Sequence, residues 1–142
     1  MSNIIIYQDI VEKKVSLDEA RSLAIMHNGE VFTYYDEGCT RYVYINKDES
    51  KVIKIDKTRG SNKWNQDEID IYEKASEEKK TQMVPTRMHN GLIEQDYVEP
   101  IKYGGKKLSI PQRLFASSCR GEVGWTEDGR LLCFDLDELK KY

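Results

Sequence analysis

Residues 30–56 read EVFTYYDEGCTRYVYINKDESKVIKID. Tyr, Val, Ile and Phe dominate three runs, EVFTYYDEG at 30–38, CTRYVYIN at 39–46 and KVIKID at 51–56, with the polar turn KDES before the third. β-Branched and aromatic side chains suit a pleated, half-buried surface, and short polar connections join antiparallel neighbours. The stretch therefore predicts a three-strand antiparallel meander.

Downstream, NKWNQDEIDIYEKASEEKK at 62–80 is helical, with Trp64, Glu68, Ile71, Tyr72 and Ala75 within one broad face. Its charged tail is a solvated face. VPTRM at 84–88, the turn HNG and LIEQDYVEPI at 92–101 form a hairpin, and Pro100 with Gly104-Gly105 punctuates a loop. SIPQRLFASSCRG at 109–121 reads as a short helix capped by Ser109, with Pro111 in its first turn. GWTEDGRLLCFDLDEL at 124–139 is a second hairpin around Asp128-Gly129, and DELKKY makes a closing half-helix. Upstream, NIIIYQDI at 3–10 reads as a strand. SLDEARSLAIMHNG at 16–29 reads as a helix with a Ser16/Glu19 capping box, ended by Asn28-Gly29. The expected fold is α+β: an antiparallel sheet of about five strands with one main packed helix, an N-terminal helix and a C-terminal β-hairpin.

Length and composition narrow the function classes. A chain of 142 residues, 39% hydrophobic and 33% charged, fits one domain with a single core. A net charge of −3 with interspersed signs lacks the basic excess of a non-specific nucleic-acid binder. The apolar runs are too short for a membrane span, and MSNIIIYQDI lacks the basic start and long apolar core of a signal peptide, so a cytoplasmic location is expected. Cys39, Cys119 and Cys133 form no C-x-x-C and are expected as buried, reduced thiols. His27 and His89 each lack neighbouring ligand types in the chain and read as surface or packing residues.

The element order carries a resemblance. A three-strand meander, a helix and two more strands resemble the N-terminal lobe of protein kinases. DEGCTRYVY sits where that family has its glycine-rich turn, KVIKI is similar to the V-A-I-K strand, and NQDEIDIYEKA to the helix that follows. GLIEQDYVEPI resembles the strand leading to the hinge, and GEVGWTEDGRLLCFDLD the metal-binding hairpin with its Asp-x-Asp. The resemblance divides the chain into an extension at 1–30, a lobe-like part at 31–99 and a reduced remnant at 100–142. It implies Gly38, Arg41, Lys54, Glu68, Glu94 and Tyr97 as nucleotide-binding residues and Glu122, Asp135 and Asp137 as metal-binding residues, if these roles are retained. Each role has a physical basis: Mg²⁺ takes carboxylate oxygens, a lysine offsets phosphate charge, and a helix glutamate holds that lysine.

The departures from the pattern set the functional expectation. The turn keeps one glycine, Gly38, followed by Cys39, Thr40 and Arg41. With Glu122 at the metal-binding Asn position, the base of H-R-D-x-x-x-x-N falls on Ser117, and a serine is no useful proton acceptor at neutral pH. A substrate-binding lobe after Asp137 is not expected. The chain thus looks like a catalytically inactive, pseudokinase-like protein without a cofactor. It would act by protein–protein interaction as an inhibitor or regulator of a host protein, in the stripped-down style of bacteriophage proteins. A minimal ATP- and Mg-binding phosphotransferase is one alternative. An unrelated small α+β inhibitor or antitoxin is another, and it would set Lys54 and Glu68 on different faces. Seven of the nine tyrosines, Tyr34, Tyr35, Tyr42, Tyr44, Tyr72, Tyr97 and Tyr103, fall on or near the sheet, as core or as a binding face. Trp64 and Trp125 are expected as core anchors, and an exposed sheet edge would allow a homodimer.

Overall fold

The computed structural model describes residues 4–101 and 107–136. The elements run β1 (Ile4–Ile6), α1 (Tyr7–Val11), α2 (Leu17–Ala20), β2 (Ala24–His27), β3 (Glu30–Glu37), β4 (Arg41–Asn46), β5 (Lys51–Asp56), α3 (Lys63–Lys74), α4 (Glu77–Lys80), β6 (Thr86–His89), β7 (Leu92–Asp96), β8 (Glu99–Pro100), α5 (Ile110–Ser118), β9 (Val123–Trp125) and β10 (Leu131–Cys133). The class is α+β. A seven-stranded sheet has the order β1-β2-β3-β4-β5-β7-β6, and a three-stranded sheet the order β10-β9-β8.

The main sheet has seven strands rather than the expected five. The meander and the 84–101 hairpin supply β3, β4, β5, β7 and β6, and the other two come from the N-terminal segment. Ser16 and Glu19 form the capping box, with Ser16 Oγ accepting from the Glu19 N–H at 3.0 Å. The helix they open ends at Ala20, however, and residues 24–27 are extended. Ala24–Met26 pair parallel with Ile4–Ile6, while Ile25–His27 pair antiparallel with Phe32–Glu30. Unmet backbone groups on β3 outweigh the helical spacing of Leu23 and Ala24. NIIIYQDI likewise divides into strand and helix at Tyr7.

The sheet is strongly curled. His27 on β2 and Glu94 on β7 lie four strands apart in the order, about 19 Å if the sheet were flat. Their side chains nevertheless approach to 3.5 Å. Phe32, Tyr44, Ile53 and Leu92 on this inner face are buried with Ile25 and Ile55, and Tyr7 and Ile10 of α1 plug the same cluster. The opposite face carries Arg41, Val43, Lys54, Ile93 and Gln95, set by the register Val43↔Lys54↔Ile93. Helix α3 packs over this second face. A separate cluster around Met83, Cys119, Val123, Cys133 and Leu136 joins α5 and the last hairpin to Ile71, Tyr72 and Ala75 of α3.

Helix α3 begins on a borrowed cap. Its N-cap Asn62 is left-handed and makes no side-chain cap bond. Asp56, at the end of β5, accepts instead from the Trp64 and Asn65 N–H groups at 2.7 and 3.0 Å. Asn65, fully buried, donates to the carbonyls of Lys54 and Gly91 at 2.9 Å each. Strand β5 and the β6–β7 turn thereby fix where α3 starts. The helical segment breaks at Ala75, and Ser76 caps α4 by accepting from the Lys79 N–H at 3.1 Å.

Several expected core residues lie elsewhere. Trp64 and Trp125 are half-buried rather than core anchors, and Cys39 is exposed while Cys119 and Cys133 are buried. Tyr42 and Tyr44 are core, and Tyr34, Tyr35 and Tyr97 are half-buried. Tyr103, Gly104, Gly105 and the closing half-helix fall outside the described residues.

Two glycines test the geometry. Gly29 and Gly91 both hold positive φ, +80° and +100°. Space around Gly29 is open, whereas a Cβ on Gly91 would run into Asn62 and crowd the Tyr7 hydroxyl. Gly29→Ala is expected to cost about 1 kcal/mol from backbone strain alone, and Gly91→Ala about 2–3 kcal/mol. Urea unfolding of the two variants measures the difference.

Candidate functional site

The charged centre of the second sheet face is built around Glu68, on α3, which has no exposure to solvent. Burying a carboxylate without partners is prohibitive, so its donors explain its presence. The ammonium of Lys54 on β5 donates to both carboxylate oxygens at 3.0 Å. The guanidinium of Arg41 on β4 donates to Oε1. The Leu136 N–H donates to Oε2 at 2.8 Å, and the Gln95 amide approaches the same oxygen at 3.4 Å. Lys54 also donates to the Phe134 carbonyl at 2.7 Å, and Arg41 to Asp135 at 2.8 Å. Two cations thus face two carboxylates, and the segment after β10 is held onto the sheet by both.

A cavity of about 840 Å³ opens beside this centre. Its walls include Gly38, Arg41, Lys54, Tyr97, Glu122 and Asp135. Of the residues singled out in the sequence, those six together with Glu68 behind them converge on one place. Glu94 does not join them. Alternation along β7 turns its side chain to the inner face, where Arg87 Nε donates to it at 2.7 Å, and Gln95 takes the place beside Lys54. Asp137 lies outside the described residues. Lys54 and Glu68 meet on one face rather than diverging onto two.

Gln95 was missed in the sequence, although alternation in LIEQD carries the signal. With Ile93 opposite Lys54, Gln95 must share the lysine's face. Its amide also donates to Thr86 Oγ1 at 3.0 Å, which fixes its orientation.

The turn over the cavity is tied down. Lys57 donates to the Gly38 carbonyl at 2.8 Å and to Glu37 at 2.6 Å, and the Lys57 N–H donates to the Thr40 carbonyl at 2.9 Å. Arg21 and the Tyr34 hydroxyl also donate to Glu37. Gly38 has no positive φ, and a Cβ there would meet nothing within 4 Å. Neither backbone freedom nor close approach therefore requires a glycine at this turn.

The chain matches no family model, no curated protein and no solved structure. No helix among the described residues is long and apolar enough to cross a membrane.

Two predictions arise from these contacts. Glu68→Gln strands two buried cations and is expected to cost about 3–5 kcal/mol in chemical denaturation. The Arg21 and Lys57 hydrogen bonds hold the Glu37 carboxyl well below the usual carboxylate range. A depressed native pKa contributes stability that is present above the unfolded value, near 4.3, and lost as pH falls below it. Melting temperature between pH 5 and pH 2 is therefore expected to fall less steeply in Glu37→Gln than in the parent chain.

Proposed function

We propose that the chain is a catalytically inactive, kinase-like protein that works by binding a protein partner, as an inhibitor or regulator. The observation that carries this reading is that both cations of the described cavity wall, Arg41 and Lys54, are already held by carboxylates, while its other charged side chains are acids. In phosphoryl transfer the lysine and any arginine of such a site face phosphate, and the aspartate of the hairpin faces Mg²⁺. Here Arg41 bridges Glu68 and Asp135, and Lys54, besides the Glu68 pair that such a site keeps, gives a bond to the Phe134 carbonyl. A nucleotide with its metal would have to separate Arg41 from Asp135 before either could be engaged. Such an exchange breaks charge-assisted bonds in a partly dry site, where they are strongest.

Two further features support the reading. Ser117, at the position of the missing base, is exposed on α5 and is not part of the cavity wall. On the same helix Ile110 and Leu114, one turn apart, are 67% and 68% exposed. Large apolar side chains held outward at this spacing suit a helix face that a partner covers.

The size of the cavity favours a second reading, a nucleotide binder. Its volume is within the range of small-molecule sites, and Lys54, Asp135 and Glu122 offer both signs of charge. Thermal melting with millimolar Mg-ATP separates the two. The interaction reading expects no shift. Occupancy at a hundred times Kd would add about 2.7 kcal/mol and raise the midpoint by several degrees, which would move the assignment to nucleotide binding. The interaction itself is tested with the immobilised chain in an extract of the cells where it acts. Ile110→Asp with Leu114→Asp is expected to release the dominant partner while leaving the melting temperature unchanged.

A further inference from the structure

The inner face of the curled sheet carries a second polar cluster, apart from the cavity and independent of the reading above. His27 ends β2, His89 ends β6, and Glu94 lies in β7. One ligand atom from each of the three lies within 4.8 Å of the others. His27 Nε2 is 3.5 Å from Glu94 Oε1, and His89 Nε2 is 4.0 Å from Glu94 Oε2. The two imidazoles are 5.4 Å apart between centroids. His27 Nε2 and Glu94 Oε1 are both buried and have no hydrogen-bond partner. Orphaned buried polar atoms are rare in folded proteins, and an imidazole nitrogen with its lone pair free beside an unpartnered carboxylate oxygen presents two acceptors that a cation would satisfy.

We propose that His27, His89 and Glu94 bind a divalent transition-metal ion of the zinc class, with a fourth position open to solvent. Two imidazoles and one carboxylate are the ligand set of open zinc sites. Bonds of about 2.0–2.1 Å in a tetrahedron set ligand atoms about 3.3 Å apart, close to the 3.5 Å already present between His27 and Glu94. The His89 side chain, whose Nε2 has the longer distance to close, is 42% exposed. Imidazole nitrogen favours zinc, cobalt, nickel and copper over Mg²⁺ and Ca²⁺, which take oxygen. Arg87 supplies the outer support. It donates to Glu94 Oε2 at 2.7 Å, which turns Oε1 toward His27. Ligating carboxylates are commonly fixed in this way.

Burial lowers the His27 pKa. Burial alone would raise the Glu94 carboxyl, but the Arg87 hydrogen bond and charge outweigh it and bring it down. Other charges face the site as well. Glu30 lies opposite His27 on β3 and Lys51 pairs with Glu30 at 3.6 Å, so the surroundings are close to balanced before an ion arrives.

Zinc titration of the full chain against a chromophoric chelator tests the site, with Mg²⁺ as the control. One Zn²⁺ per chain is expected, with no competition from Mg²⁺. His27→Gln and His89→Gln are each expected to weaken binding about tenfold or more. Zn²⁺ should raise the melting temperature of the parent chain and not that of His89→Gln. His89 is partly exposed, so its variant folds and decides the matter even if substitutions at buried His27 or Glu94 do not. The Co²⁺ derivative should show ligand-field absorption without a sulfur-to-cobalt charge-transfer band. Failure to bind Zn²⁺, binding indifferent to both histidine substitutions, or a charge-transfer band lost in Cys39→Ser would each overturn the proposal.

Discussion

A carboxylate cut off from water sets the terms for the rest of this molecule. Glu68 can be buried only where two cations and a backbone N–H meet it. Lys54 must therefore project from β5, Arg41 from β4, and the chain after β10 must return to bring the Leu136 N–H to the same oxygen. Helix α3 must start at one defined residue so that Glu68 reaches them, and Asp56 and Asn65 enforce that start. Replacing the whole centre with apolar residues would not obviously weaken the fold. What the charges confer is uniqueness: one helix register, one strand alignment and one seat for the last hairpin satisfy all of them together.

The parts legible in the sequence are those governed by local pattern. The meander follows from β-branched and aromatic alternation around short polar turns, α3 from its 3.6-residue period, and α5 from Ser109 and Pro111. Lys54, Glu68 and Asp135 were legible through the resemblance to a kinase N-terminal lobe, which implied their meeting. The N-terminal segment was not. SLAIMH satisfies a helical and an extended pattern alike, and only the exposed edge of β3 decides between them. The inner cluster was still less accessible. His27 and His89 are far apart in sequence, and on a flat sheet their strands would be far apart in space. Curl alone brings them together, and curl is a property of the assembled sheet.

The two faces of the sheet solve the burial of polar groups in opposite ways. On the face under α3, each acid of the centre is met by a base or an N–H, and the network closes on itself. On the inner face, Arg87 satisfies one oxygen of Glu94 and leaves the other beside an imidazole nitrogen that has no partner. The acids of the first arrangement are already matched by donors, and the second leaves a carboxylate oxygen and an imidazole nitrogen for an ion to join. A single one-residue alternation along β7 separates them, because Gln95 faces the first and Glu94 the second.

The bonds that close the charged centre also span great lengths of chain. Arg41 to Asp135 bridges 94 residues, Lys54 to the Phe134 carbonyl 80, and Glu68 to the Leu136 N–H 68. Contacts this distant are slow to form, since the entropy of closing the loop is lost before any bond repays it. During synthesis, the sheet and α3 emerge long before the segment that completes their ion pairs. Until then Lys54, Arg41 and Glu68 lack the Phe134 carbonyl, Asp135 and the Leu136 N–H, and the wall they share stands open. Docking of the last hairpin is thus the step that closes this wall, and the nascent chain leaves it exposed until then.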